Sequence, residues 1–359
     1  MTESGALTPS PIHFRKEIVV NCITYVDLHR HVAPDIQAEL EAAVSTLTPA
    51  SGAGAAKSAV SRLLRHQKMR HPLSVLPMMV HAVETGQPGP AAPLAAVHVL
   101  WWTSACYLDD LADGHGTASS DSIGRDEALL ASALSGMVLP VRIVRSLPVP
   151  AALQVALTAE IATGWAVGAE GQLTDIDADA EYANRNSVIE TYRGKSGGPY
   201  SMITAMAALL AGASDERVEL WREFGYIFGI LWQLFNDQED ILSGRNEDLV
   251  NGTVTYLLTC ALDDAPTARG REDLLGLGAA ARRCAQAREE LTGRLLAPDV
   301  LARFAADLDA FRVEAHRLLT ALGGDERHLP VMRHLVDHSA RMLLRARLAP
   351  APAPAPAAV

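Results

Sequence analysis

The stretch Val97–Asp113, VHVLWWTSACYLDDLAD, runs a dozen mostly apolar residues into three carboxylates, Asp109, Asp110 and Asp113. Read as one helix, it places Asp109 and Asp113 on a shared face, with Asp110 roughly 100° round. Acids this close repel one another and are costly to bury unless something neutralises them. Taken alone, the cluster fits a solvated helix end equally well, although acids in a last turn oppose the helix dipole. A second stretch, Phe224–Leu242, FGYIFGILWQLFNDQEDIL, repeats the layout: an apolar helical run, then Asn236, Asp237, Glu239 and Asp240. Gln233, Asp237 and Asp240 are four and three residues apart and line one face, flanked by Gly229 and Asn236. Two such helices facing each other gather hard oxygen ligands around a common space, the donor set that suits Mg2+. Carboxylate clusters above an apolar interior imply a substrate with a charged head and a hydrocarbon body.

The rest of the chain agrees with a helical reading. It has 359 residues, 49% hydrophobic and 20% charged, enough for a large globular core. Val/Ile/Thr alternation is scarce. Breaks fall at Gly86–Pro93, Ser146–Pro150, Asp175–Asn186, Gly212–Glu216 and Gly244–Gly252, and the intervals between them suit long helices better than strands. Arg271–Ala321 carries Leu291, Leu295, Leu296, Phe304, Leu308 and Phe311 at helical spacing, which predicts an amphipathic helix pair divided near Ala297-Pro298. The expected architecture is all-α: a single-domain helical bundle around a deep apolar cavity, spanning residues 16–345. Residues 1–15 are expected to be loose, and the Pro/Ala-rich residues 349–359 disordered.

Charge and cysteine usage narrow the function classes. Acids outnumber bases, 42 against 31, a net charge of −11 without a basic run, which argues against nucleic acid as a partner. Four dispersed cysteines without a CxxC pair predict a reducing, cytoplasmic setting, and the N-terminal stretch has no signal-peptide pattern. The charge-free stretches Pro88–Leu108 and Ser196–Ser214 are broken by Pro, Gly, His, Ser and Thr, and read as buried helices rather than membrane spans.

At this point the sequence resembles the trans-isoprenyl diphosphate synthases, or polyprenyl synthetases, in collinear order over roughly residues 68–258. Asp109-Asp110-x-x-Asp113 is similar to the family's first aspartate-rich motif, and Gly171-Gln172-x-x-Asp175 to its GQxxD segment. Tyr192-Arg193-Gly194-Lys195-Ser196 and the small-residue stretch after it resemble the K-T helix. Gly229-x-x-Trp232-Gln233-x-x-Asn236-Asp237-x-x-Asp240 resembles GxxFQxxDDxxD with Asn at the first aspartate, and Asp248-Leu249-x-x-Gly252-Thr253-x-Thr255 the following D-L-x-x-G-K-x-T. The resemblance implies an orthogonal bundle of isoprenoid synthase type, a homodimer, and three Mg2+ ions bridging both motifs to the diphosphate of an allylic substrate. It implies Asp109, Asp110, Asp113, Asp237 and Asp240 as metal ligands and Lys195 as the cation for the diphosphate. Gln172, Gln233 and Asn236 would orient the substrate.

Departures gather at the second substrate. In the family, isopentenyl diphosphate is held by G-K-x-x-R-P, a histidine before the first motif and arginines after it. Here the segment reads Gln67-Lys68-Met69-Arg70-His71-Pro72, Trp102 stands near the histidine position, and Thr253 replaces a lysine. A doubly anionic co-substrate needs several cations. Three readings follow. The first is a prenyltransferase with isopentenyl diphosphate or another acceptor at a site rebuilt from Lys68, Arg70, His71 and His115. The second is a terpene cyclase ionising a single prenyl diphosphate, with Arg193 sensing the diphosphate and Gly197-Gly198 breaking the helix. The third is a non-catalytic subunit of a prenyl synthase. The small residues Ser104 and Ala105, one turn before the first motif, predict passage of fifteen carbons or more, with Trp101 and Trp102 as a floor or as core.

Overall fold

The computed structural model describes residues 24–47, 54–66, 69, 71–112 and 123–346. Among them are sixteen α-helices and no strand. They are α1 (Tyr25–Ser45), α2 (Ala55–His66), α3 (Leu76–Thr85), α4 (Ala92–Ala112), α5 (Arg125–Ala133), α6 (Leu139–Ser146), α7 (Ala151–Ile176) and α8 (Arg185–Tyr192), then α9 (Gly198–Leu210), α10 (Asp215–Ser243), α11 (Glu247–Asn251), α12 (Tyr256–Asp263), α13 (Ala268–Ala281), α14 (Ala285–Leu295), α15 (Pro298–Leu322) and α16 (Leu329–Ser339). The expected breaks coincide with helix ends. Gly86 and Gly244, both in the left-handed region, terminate α3 and α10. Side chains of Thr24, Asn184, Thr255 and Thr267 cap the starts of α1, α8, α12 and α13, each worth about 1 kcal/mol.

One apolar core runs from Tyr25 to Leu344, so the described residues form a single unit, as the composition predicts. At its centre α10 packs on α9, which also meets α3 and α7. Along α10 the rings of Phe224, Phe228, Trp232 and Phe235 stack at 6.0, 6.3 and 5.1 Å between successive centroids. All four are buried, and each stabilises the fold by about 2 kcal/mol through area removed from water. The chain leading into α9 approaches α10 closely because Gly229 faces the backbone of Ser196 and Gly197, where a Cβ would overlap it.

One expectation is corrected. Arg271–Ala321 holds parts of three helices, not a pair: the division at Ala297-Pro298 is present, and a second turn falls at Arg282–Cys284. Neither Gly nor Pro marks that turn. The Arg288 guanidinium donates to the Ala281 carbonyl at 2.7 Å, so a side chain seven residues beyond the helix end satisfies it. The ends assigned to a loose segment and a tail, 1–15 and 349–359, lie outside the described residues.

Two helical stretches, Gly89–Ala112 and Arg125–Ser146, are long and apolar enough to cross a bilayer. Within the fold 67% of the first window and 50% of the second is buried, as expected of core helices. Cys106, Cys260 and Cys284 are free thiols.

Candidate active site

Five elements converge on Lys195. The chain between α8 and α9 does not break at Gly197-Gly198. It continues through a single wide turn of π type over Arg193–Gly197, a local widening that recurs at functional sites because it redirects side chains. Against this turn lies α7, with Gly171 directly on Gly194 and the Lys195 backbone; a Cβ there would overlap both. That approach brings the Lys195 ammonium to 2.7 Å from Asp175 Oδ2 on α7 and 3.3 Å from Asp109 Oδ1 on α4. Burial alone would pull the ammonium's pKa down. Asp109 and Asp175 more than offset that and hold it above its ordinary value, so Lys195 is a fixed cation.

From the other side α10 presents Asp237, buried, whose Oδ2 accepts a 2.6 Å hydrogen bond from the Tyr192 hydroxyl. Its Oδ1 accepts from the Gln233 amide at 3.0 Å. The Gln233 carbonyl oxygen accepts from Ser196 at 2.6 Å, tying α10 to the residue after Lys195. Burial raises the Asp237 pKa to about 7 despite the bonds from Tyr192 and Gln233. Asp248, on α11, is pushed well above the carboxylate range by burial and by Asp237 and Asp240. Asp240 takes a structural position. Its two oxygens accept the backbone N–H groups of Glu247 and Asp248 at 3.1 and 3.3 Å, holding the start of α11 against the end of α10.

The predicted residues therefore separate into groups. Asp109, Lys195, Gln233 and Asp237 come together, with Asp110 and Asn236 half-buried on the same two helix ends and Gln172 half-buried one turn before Asp175. Arg193 does not join them. It forms a two-pronged ion pair with Glu223, roughly 20 Å along α10 from Asp237, at 2.7 and 3.1 Å, and lies over the Tyr226 ring. His71 meets α10 on the Trp232, Phe235 and Glu239 face, with Nε2 3.2 Å from Glu239. That face is roughly 130° round the helix from Gln233 and Asp237. Ser104 faces away from α10: its hydroxyl donates to the Ser132 carbonyl at 2.9 Å. Ala105 and Trp102 are half-buried on the Asp109 side of α4. Asp113, His115, Lys68 and Arg70 lie outside the described residues. Sequence reasoning passed over Asp175 and Tyr192 as site residues, although each sits inside a segment quoted for the resemblance.

The donor set fits a hard divalent cation. Asp109 Oδ1 is buried without a hydrogen bond, its nearest counter-charge the Lys195 ammonium at 3.3 Å; burial raises the Asp237 pKa to about 7, and burial with the nearby carboxylates Asp237 and Asp240 pushes Asp248 well above the ordinary carboxylate range. Among the described residues no three acidic, histidine or cysteine side chains converge tightly enough to form an ion cage of their own. Mg2+ does not require one. It is commonly held by one or two carboxylates, water and substrate phosphate oxygens.

An all-α bundle whose central helices aim aspartates and one buried lysine at a common point defines an isoprenoid synthase-type fold. The solved structures agree. Polyprenyl synthetase from Streptomyces coelicolor A3(2) superposes with TM-score 0.70 at 17% identity, covering 86% of this chain and 98% of that one. Geranylgeranyl pyrophosphate synthetase from Pyrococcus horikoshii Ot3 gives 0.73 at 17%, covering 89% and 99%. The Corynebacterium glutamicum geranylgeranyl pyrophosphate synthase complexed with isoprenyl diphosphate and magnesium gives 0.71 at 16%, covering 87% and 98%. A polyprenyl synthetase profile matches residues 63–290, and the chain belongs to that family. Geranylgeranyl diphosphate synthase of Methanosarcina mazei is 30% identical over 102 residues, 26% of this chain, and the match spans about a third (32%) of that relative's length.

Proposed function

We propose that the protein ionises an allylic prenyl diphosphate in a Mg2+-dependent reaction and transfers the prenyl group to an acceptor, isopentenyl diphosphate or another molecule. The observation that carries this reading is the placement of Lys195 between Asp109 and Asp175, opposite Asp237. A buried cation flanked by carboxylates binds a diphosphate only when further positive charge accompanies it. Asp109, Asp110 and Asp237, with Asp113 and Asp248 as further candidates, would hold Mg2+, which would supply that charge and stabilise diphosphate as a leaving group. Lys195 stays protonated throughout and stabilises the charge that builds on the departing oxygen. Ser196 and Gln233 lock the turn carrying Lys195 to α10, so the cation and Asp237 hold their relative position as charge moves. Gln172 and Asn236 border the same space and would orient the substrate.

Prenyl transfer is favoured over cyclisation by a single diphosphate because Arg193, the residue a cyclase reading needs as a diphosphate sensor, is committed to Glu223 and Tyr226. Dimerisation belongs to the same proposal. Leu129, Leu130, Met137, Val138 and Val155 are exposed on α5, on the turn after it and on α7, a surface suited to a second copy.

The test incubates the protein and Mg2+ with each allylic diphosphate, with and without isopentenyl diphosphate, and identifies products by mass. A longer diphosphate formed only with the co-substrate is the expected result. A hydrocarbon or alcohol formed without it selects the cyclase. No product from any mixture, together with tight binding to another prenyl synthase, selects the non-catalytic subunit.

A further inference from the structure

Four consecutive residues near the end of α10 are held by four different parts of the chain. Asp237 accepts from Tyr192 on α8, Glu239 meets His71 ahead of α3, and Asp240 accepts the backbone N–H groups that open α11. Gln238, between Asp237 and Glu239, is fully buried. A buried amide needs partners for both its oxygen and its nitrogen. Gln238 finds them in the segment after α16. Its Nε2 donates to the Arg341 carbonyl at 3.1 Å, 103 residues further along the chain. Its Oε1 accepts from the backbone N–H of Leu343 at 2.7 Å and of Leu344 at 3.4 Å.

Residues 341–346 form no helix, so their backbone groups must find partners elsewhere. Leu344 is buried and Leu343 packs against the core. At the end of α16 the His338 ring lies 5.4 Å from that of Phe235 on α10. The segment is a strap, rooted on α10 through α16 and pinned to it by one amide. The last carbonyls of a helix have no partners within it, so the rotation of its end is set by what lies outside. A carboxylate on α10 stands roughly 6 Å from the helix axis, and a rotation of about 10° carries it about 1 Å. Mg2+ tolerates little of that, because its ligands sit at about 2.0–2.1 Å in a near-octahedral array.

We infer that Gln238 is a positioning residue for the second carboxylate cluster: by fastening the C-terminal strap to α10, it fixes the rotation of the helix end and the approach of Asp237 to a divalent cation. Gln233 rides on α10 itself and Tyr192 holds one oxygen of Asp237, so neither sets that rotation alone. Groups that hold a metal ligand in place contribute about 10–100-fold to affinity. The inference rests on the proposed reading of Asp237 as a metal ligand.

The experiment titrates the full chain with Mn2+ in the presence of inorganic pyrophosphate and reads bound metal by electron paramagnetic resonance. The signal that Asp237→Ala abolishes identifies the site. Gln238→Met keeps the side-chain volume and removes the amide; Leu343→Pro removes the N–H at the other end of the 2.7 Å bond. Each should weaken Mn2+ binding by about tenfold, with faster amide exchange over the last turn of α10. The double variant should bind no more weakly than either single one, because both changes break the same fastening. Parental Mn2+ affinity in both folded variants overturns the inference while leaving the proposed function intact, as do losses that multiply in the double variant. A parent that shows no Mn2+ signal dependent on Asp237, and releases no diphosphate from any allylic diphosphate, sinks the proposed function and this inference with it.

Discussion

The Tyr192 hydroxyl is shared between Asp237, to which it donates at 2.6 Å, and the Tyr256 backbone N–H, from which it accepts at 3.0 Å. One buried oxygen thereby couples the second carboxylate cluster to the start of α12. Tyr192→Phe removes the donor that lowers the Asp237 pKa and leaves the Tyr256 N–H unpaired. The expected outcome is a loss of about 1–3 kcal/mol of stability in denaturant titration, with weaker Mg2+ activation of diphosphate release. Unchanged Mg2+ dependence would show that Asp237 needs no such anchoring.

Lys195→Met removes the only cation within 4 Å of Asp109 and Asp175 among the described residues. Diphosphate release should fall by about 100-fold or more, as for loss of one preorganised charge at a leaving group. The metal-free variant should also melt lower, because Asp109 and Asp175 lose their shared counter-charge. Release at the parental rate would remove Lys195 from the chemistry.

The raised Asp237 pKa sets a pH dependence whose sign is opposite to that of a salt-bridged carboxylate. Its folded value, about 7, lies above its unfolded value, so the folded state binds the extra proton in between. Without metal, this group's contribution to stability is present below its unfolded pKa and is lost as pH rises through about 7. The rise in melting temperature on adding Mg2+ should therefore be larger at pH 8 than at pH 6. An equal rise at both values would contradict a proton competing with metal at Asp237.

Asp240→Ala separates a structural from a ligand role. Loss of its bonds to Glu247 and Asp248 removes a cap worth about 1 kcal/mol. If Asp240 acts mainly through α11, the expected finding is faster amide exchange over α11 with residual diphosphate release above that of Asp237→Ala. Equal loss of activity in the two variants, with α11 exchange unchanged, would make Asp240 a direct ligand instead.

Leu130 is 70% exposed on α5. Leu130→Glu should leave the melting temperature nearly unchanged for the isolated chain and convert a dimer to a monomer in sedimentation. A monomeric parent would remove the dimer from the proposal.

Much of this site was legible in the chain. Apolar helical runs ending in Asp109-Asp110 and Asn236-Asp237, and helix breaks punctuated by Gly and Pro, determined the all-α class and named both carboxylate clusters, because periodicity and helix termini are local properties. Lys195 was legible through the motif around it. Tertiary structure alone decided which neighbours those residues have. Arg193 and Lys195 are two residues apart, yet the π-type turn sends one to Glu223 and the other to Asp109 and Asp175. Asp237 and Asp240 share a face, yet Asp240 is drawn to the backbone of α11. His71 lies on the far side of α10, against Trp232 and Phe235. Each of these outcomes depends on which helix packs against a given face. That choice is made by the summed burial of distant apolar side chains and by the close contacts Gly171 and Gly229 permit, and no local pattern records it.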